Sequence, residues 1–139
     1  MTGETITRRQ ADELLCFLLR FEAPGRQFVR SWAGGTPTED GQAITLPYPL
    51  YEDDVLAFFR LAGLPSWSDY DYEPRRAHDM LHDDELIRTC SLDELRTMLT
   101  YCVRGERFSD GHWAHLLQTG RIVALLRRLA TLRDSLPPE

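Results

Sequence analysis

A chain of 139 residues, 42% hydrophobic and 27% charged, is large enough to bury one core, too short for two, and far in composition from chains that stay disordered. Its net charge of −6 is concentrated in residues 39–94, where four arginines face fourteen acids, so most of the surface repels a phosphate backbone and direct nucleic-acid binding is disfavoured. The chain lacks an apolar run long enough for a membrane span, its first nine residues lack the apolar core of a secretory signal, and its three cysteines (Cys16, Cys90, Cys102) suit reduced thiols, which predicts a cytoplasmic protein without membrane association.

Thr7 and Gln10 have the spacing of a capping box, in which the threonine hydroxyl accepts a free N–H and the glutamine reaches back. Ala11, Leu14, Leu15, Leu18, Leu19 and Phe21 follow at helical spacing up to Ala23-Pro24-Gly25, predicting one helix over 8–22. Phe28, Val29 and Trp32 suit a short helical turn, closed by Gly34-Gly35-Thr36-Pro37 and a polar loop at Glu39-Asp40-Gly41. Ala43 to Leu46 is expected to be extended, as a short edge strand, because Pro47 and Pro49 exclude helix.

From Tyr51 onward Val55, Phe58, Phe59 and Ala62 share a face, Glu52-Asp53-Asp54 favour the positive end of a helix dipole, and Gly63 with Pro65 stops the helix. Ser66 to Glu73 alternates Trp67, Tyr70 and Tyr72 with acids and fits a loop or a short strand. Pro74 suits the first position of a short helix reaching His82, with Asp83 or Asp84 capping a brief turn around Leu86 and Ile87. Ser91 to Glu94 is a second capping box, introducing Leu95, Met98, Leu99 and Cys102 on a helix to about Arg104. Ser109 or Asp110 is expected to cap the next helix, which carries Trp113, Leu116 and Leu117 to Gly120, and a last helix runs from Ile122 to Leu132. Residues 135–139 read as a loose tail. The prediction is one mainly α domain over 1–139, a compact orthogonal bundle of five or six helices with at most a minor β-hairpin.

The densest polar stretch, Arg104 to Trp113, puts two guanidiniums, two carboxylates, an imidazole, a hydroxyl and an indole between two helices. Glu106, Asp110 and His112 are its candidate acid, base or ligand groups, and Arg104 and Arg107 could fork onto a carboxylate or phosphate. The same residues also make a structural turn, with arginine–carboxylate pairs locking it, Gly105 and Gly111 relieving backbone strain, and Phe108 and Trp113 plugging the core. The structural reading is preferred, because locked turns use the residue types that active sites use.

This stretch resembles a family of small bacterial and phage-borne proteins grouped as a domain of unknown function. Its signature is Arg-Gly-Glu-Arg-Phe leading into Asp-Gly-His-Trp, then a Gly and an Ile ahead of a Leu-rich helix, here Arg104 to Trp113, Gly120, Ile122 and Leu125 to Leu129. The resemblance runs from Tyr70 onward and implies no established activity. A cysteine usually stands in that family where this chain has Ser109, so a shared thiolate chemistry would be hard to keep with the far less acidic serine hydroxyl. Its occurrence in phages and mobile elements implies one concrete role, an anti-CRISPR-like inhibitor of a nucleic-acid-handling complex.

His78 and His82 stand one helical turn apart, the spacing of a zincin, but Asp79 replaces the glutamate such a site needs and no third ligand is evident, so no metal and no cofactor are expected. Glu52, Asp53 and Asp54, and then Asp69, Tyr70, Asp71, Tyr72 and Glu73, place carboxylates beside aromatics, a composition suited to docking on a protein partner with a basic surface. The function expected is therefore non-catalytic binding of such a partner, with a small hydrolase or nucleic-acid-modifying enzyme built on residues 104–113, with or without a metal, as the alternative.

Overall fold

The computed structural model describes residues 5–34 and 47–138. The first helix begins as the sequence predicts: Thr7 N donates to Gln10 Oε1 at 2.9 Å, Gln10 N donates to Thr7 Oγ1 at 3.3 Å, and α1 (Arg8–Leu15) follows. The single helix expected over 8–22 is interrupted at Cys16 and Phe17, where Phe17 N turns back to Leu14 O at 3.2 Å, and α2 (Leu18–Glu22) then restarts. The interruption swings the apolar face round. Phe17 and Phe21 both reach Phe58, with ring centroids 5.6 and 5.3 Å away, and Leu19 is left 81% exposed.

The helical turn expected at Phe28 to Trp32 is instead a strand. β1 (Val29–Ala33) pairs antiparallel with β2 (Tyr48–Tyr51), Trp32 opposite Pro49 and Val29 opposite Tyr51. Val29 and Trp32 favour strand once a partner is present, and Pro49 fits inside β2 because both strands of a two-stranded sheet are edges. Pro49 and Tyr51 are buried while Tyr48 and Leu50 face outward, the period-two pattern of a half-buried strand. The extended segment expected at 43–46 and the loop expected at 39–41 lie outside the described residues.

α3 (Asp53–Ala62) buries Val55, Phe58, Phe59 and Ala62 as its spacing predicts. A 3₁₀ turn (Pro65–Trp67) then buries Trp67, and the connector to Glu73 is loop rather than strand. α4 (Pro74–Leu81) is capped by Glu73, α5 (Asp84–Thr89) by Asp83, and α6 (Leu92–Gly105) by the Ser91/Glu94 capping box, in which Ser91 N reaches Glu94 Oε1 at 2.9 Å and Glu94 N reaches Ser91 Oγ at 3.1 Å. α7 (His112–Gln118) and α8 (Arg121–Leu132) follow. α8 is the hub of the core, burying Ile122, Leu125, Leu126 and Leu129 and touching α1, α2, α5, α6 and α7. The segment expected to trail loosely from 135 is held through Pro137, with Leu136 buried and Pro137 O accepting from Arg8 N at 2.9 Å.

The architecture is mainly α, with eight helices and one hairpin among the described residues. The count exceeds the five or six expected because the first helix divides and the brief turn at Leu86 and Ile87 is a helix in its own right. No helix of the described residues is long and apolar enough to cross a membrane.

Candidate functional site

The chain leaves α6 at Gly105 and re-enters helix at His112 after a glycine, Gly111, with a φ of 91° and no side chain to cap with. The opening N–H groups of α7 therefore need partners from elsewhere. Glu106 supplies them: Oε2 accepts from Gly111 N at 2.9 Å and Oε1 from Trp113 N at 2.8 Å. Tyr51 completes the arrangement from β2, donating its hydroxyl to Glu106 Oε1 at 2.9 Å and accepting Ala114 N at 3.2 Å. A carboxylate here also meets the positive end of the α7 dipole. Burial, and then the bond to Glu106, push the Tyr51 hydroxyl well above the ordinary tyrosine range, so it stays a donor. One carboxylate and one phenol thus join the hairpin, α6 and α7.

Ser109 and Asp110, expected as caps of α7, do not cap it, and both are exposed. The arginine–carboxylate pairs expected to lock the turn do not form either; backbone N–H groups and Tyr51 take the Glu106 carboxylate instead. Phe108, expected in the core, is 80% exposed. Trp113 does fill the interior. It lies 4.2 Å from the Phe59 ring with planes 4° apart, and its Nε1 donates to the carbonyls of Cys102 and Val103 at 3.0 and 3.1 Å, closing the end of α6.

His112 rests on Gly105, where a Cβ would lie 2.2 Å from its Nε2. That nitrogen is buried without a hydrogen-bond partner. Burial holds the imidazole below its ordinary pKa, Glu106 pulls it upward, and His115 and His78 press it further down. Of the three candidate catalytic groups, Glu106 and His112 are therefore neighbours, while Asp110 sits on the exposed turn and bonds to neither. Arg107 is exposed, and Arg104 lies over the rings of Tyr70 and Tyr72, 5.7 and 5.3 Å from their centroids.

The rings of His78 and His82 are 4.2 Å apart, but His82 Nδ1 is bonded to His78 O at 2.8 Å, and no group of three or more potential ligands is placed to hold a metal ion among the described residues. The two acidic clusters stand on different elements. Glu52 and Asp53 pair with Arg30 at 3.0 and 3.4 Å, and Asp54 with Arg26, so the first cluster is largely neutralised at the head of α3. The second is a connector pinned to α6: Thr97 Oγ1 donates to Asp69 Oδ2 at 2.7 Å, Asp69 N donates to Thr100 Oγ1 at 2.8 Å, and Glu73 caps α4. From it Tyr70 projects, 65% exposed.

Tyr51 is the member of the constellation that sequence reasoning missed. The alternation Tyr48, Pro49, Leu50, Tyr51 was the available signal, since a period of two marks Pro49 and Tyr51 as one inward face.

Fold and site together define a small mainly α domain closed by a carboxylate cap between its last helices. Residues 6–135 match the family of unknown function DUF6508, and the chain belongs to that family. No curated protein and no solved structure matches it.

Proposed function

We propose that this protein is a non-catalytic binding domain that docks on the basic surface of a partner protein. The observation carrying this reading is the connector at 68–73. Asp69 fixes it to Thr97 and Thr100, and it presents an exposed Tyr70 beside Asp71 and Glu73, a pre-ordered aromatic in an acidic setting. Pre-ordering lowers the entropy cost of association, and acids around the anchor speed encounter with a basic surface. Proteins that handle nucleic acid present such surfaces, and covering one would make this domain an inhibitor, the counter-defence form of the reading. The alternative enzyme would need Glu106 free, and its carboxylate already holds three donors.

Pull-down from bacterial lysate at low and high salt, with wild-type protein and a Tyr70→Ala/Asp71→Asn variant, tests the reading. Wild type should retain a basic or nucleic-acid-handling protein at low salt, and both high salt and the variant should release it. Recovery of no such protein at either salt, or equal recovery by the variant, would overturn it.

A further inference from the structure

Between the last turns of α3 and α6 lies an open groove of about 500 Å³ whose lining includes Arg60, Arg104 and Arg107. Its apolar part is Phe59, Val103, Trp113 and Leu56, the last 42% exposed. The groove touches the signature segment, yet the brace uses neither arginine of that segment.

Its arginines set it apart from three other grooves among the described residues. Beside Phe21 and Leu117, Arg26 and Arg127 are bound to Asp54 and Glu22. Between α5 and α8, Arg88 and Arg128 are bound to Glu85 and to the Cys90 carbonyl. Near the two chain ends, Arg8 and Arg133 are bound to the Asp134 carbonyl and to Asp12. By contrast, the guanidiniums of Arg60, Arg104 and Arg107 bond to no carboxylate or carbonyl among the described residues; that of Arg104 is steadied only by the faces of Tyr70 and Tyr72. The carboxylate that does line the groove, Glu106, is occupied by Tyr51, Gly111 and Trp113. Arg60 and Arg104 stand in the last turns of α3 and α6, where a cation meets the negative end of a helix dipole, but Arg107 lies beyond the helix and has no such role.

Guanidiniums left unpaired around an apolar wall, in a protein of net charge −6, are complementary to a carboxylate with an apolar neighbour. The groove is open, so it cannot enclose a small ligand as a pocket does, and its volume suits one or two side chains. Nucleic acid fits it poorly: Phe59 covers a face of Trp113 on which a base would stack. We propose that this groove binds an acidic segment of a partner polypeptide, its carboxylates on Arg60, Arg104 and Arg107 and an adjacent apolar side chain on Leu56 and Phe59. The site is opposite in charge to the acidic connector that docks on basic surfaces, and the two meet where Arg104 lies over Tyr70 and Tyr72.

Selection of a displayed random heptapeptide library on the whole protein, followed by fluorescence polarisation with a synthesised winner, tests this. Enriched peptides should combine Asp or Glu with a large apolar residue, and their affinity should fall with salt. Arg60→Gln/Arg107→Glu, both at exposed positions, should weaken binding by about tenfold or more while circular dichroism shows the fold retained, and Arg107→Ala alone by a smaller factor. Asp71→Asn should leave the affinity within about twofold, separating this groove from the connector. Failure to enrich any peptide, enrichment of peptides without acids, a double variant that binds like wild type, or an oligonucleotide that displaces the peptide from the three arginines would each overturn the proposal.

Discussion

Gly105 is required by the ring that rests on it. A methyl group there would meet the His112 imidazole at 2.2 Å, so the ring must leave its seat or the turn must shift. Gly105→Ala is predicted to cost about 2 kcal/mol in urea denaturation, and clearly less in a His112→Ala background; equal costs in both would show that the ring is not the obstacle. The seat also sets a pH response. Burial holds the folded imidazole below 6.5, so the unfolded chain takes up this proton first as pH falls. Stability from this group is complete above about pH 6.5, declines below it, and levels off once the folded imidazole is itself protonated. Unfolding free energies measured between pH 7.5 and 5 should show that decline, and His112→Gln should flatten it. His112 and Glu106 stand out in the sequence as reactive types. What the sequence does not carry is that a glycine seven residues earlier would receive one of them and a tyrosine 55 residues earlier would engage the other.

The starts of α1, α5 and α6 were readable because their caps are local devices, Thr7/Gln10, Asp83 and Ser91/Glu94 each closing within four residues, whereas the start of α7 is held by Glu106 rather than by Ser109 or Asp110. The place of the hairpin was not readable, since β1 is held by a partner about twenty residues away and Val29 to Trp32 carries no turn signal of its own. The interruption of the first helix escaped for a related reason. Leu14, Leu15, Leu18 and Leu19 continue one helical pattern smoothly, and only the position of Phe58 shows why Phe17 turns inward and Leu19 outward. The two readings differ in a measurable way. Phe17→Ala should cost about 3 kcal/mol in thermal or urea denaturation, while Leu19→Ala should stay within about 0.5 kcal/mol of wild type; a continuous helix over 8–22 would give Leu19 a substantial cost as well.

Across the whole molecule, ion pairs join parts of the chain far apart in sequence, Arg133 with Asp12 and Arg26 with Asp54. Arg26 holds the half-buried Asp54 carboxyl below 3.8, so this pair's stabilisation is present above that value and is lost as pH falls through the folded pKa. Acid unfolding should therefore proceed in two stages, an early decline set by His112 below about pH 6.5 and a steeper one set by carboxylates below about pH 4, and Asp54→Asn should diminish only the second. The junction of hairpin, α6 and α7 lies within the 6–135 span that matches the family, and Glu106 and Tyr51 are its meeting point. If the signature segment exists to brace this junction, the two residues must depend on each other for their worth. A double-mutant cycle on unfolding free energy with Tyr51→Phe and Glu106→Ala measures that dependence. We predict a cost of about 3 kcal/mol for Glu106→Ala, about 1.5 kcal/mol for Tyr51→Phe, and a coupling of at least about 1 kcal/mol. A Glu106→Ala variant as stable as wild type, or costs that simply add, would contradict the bracing role.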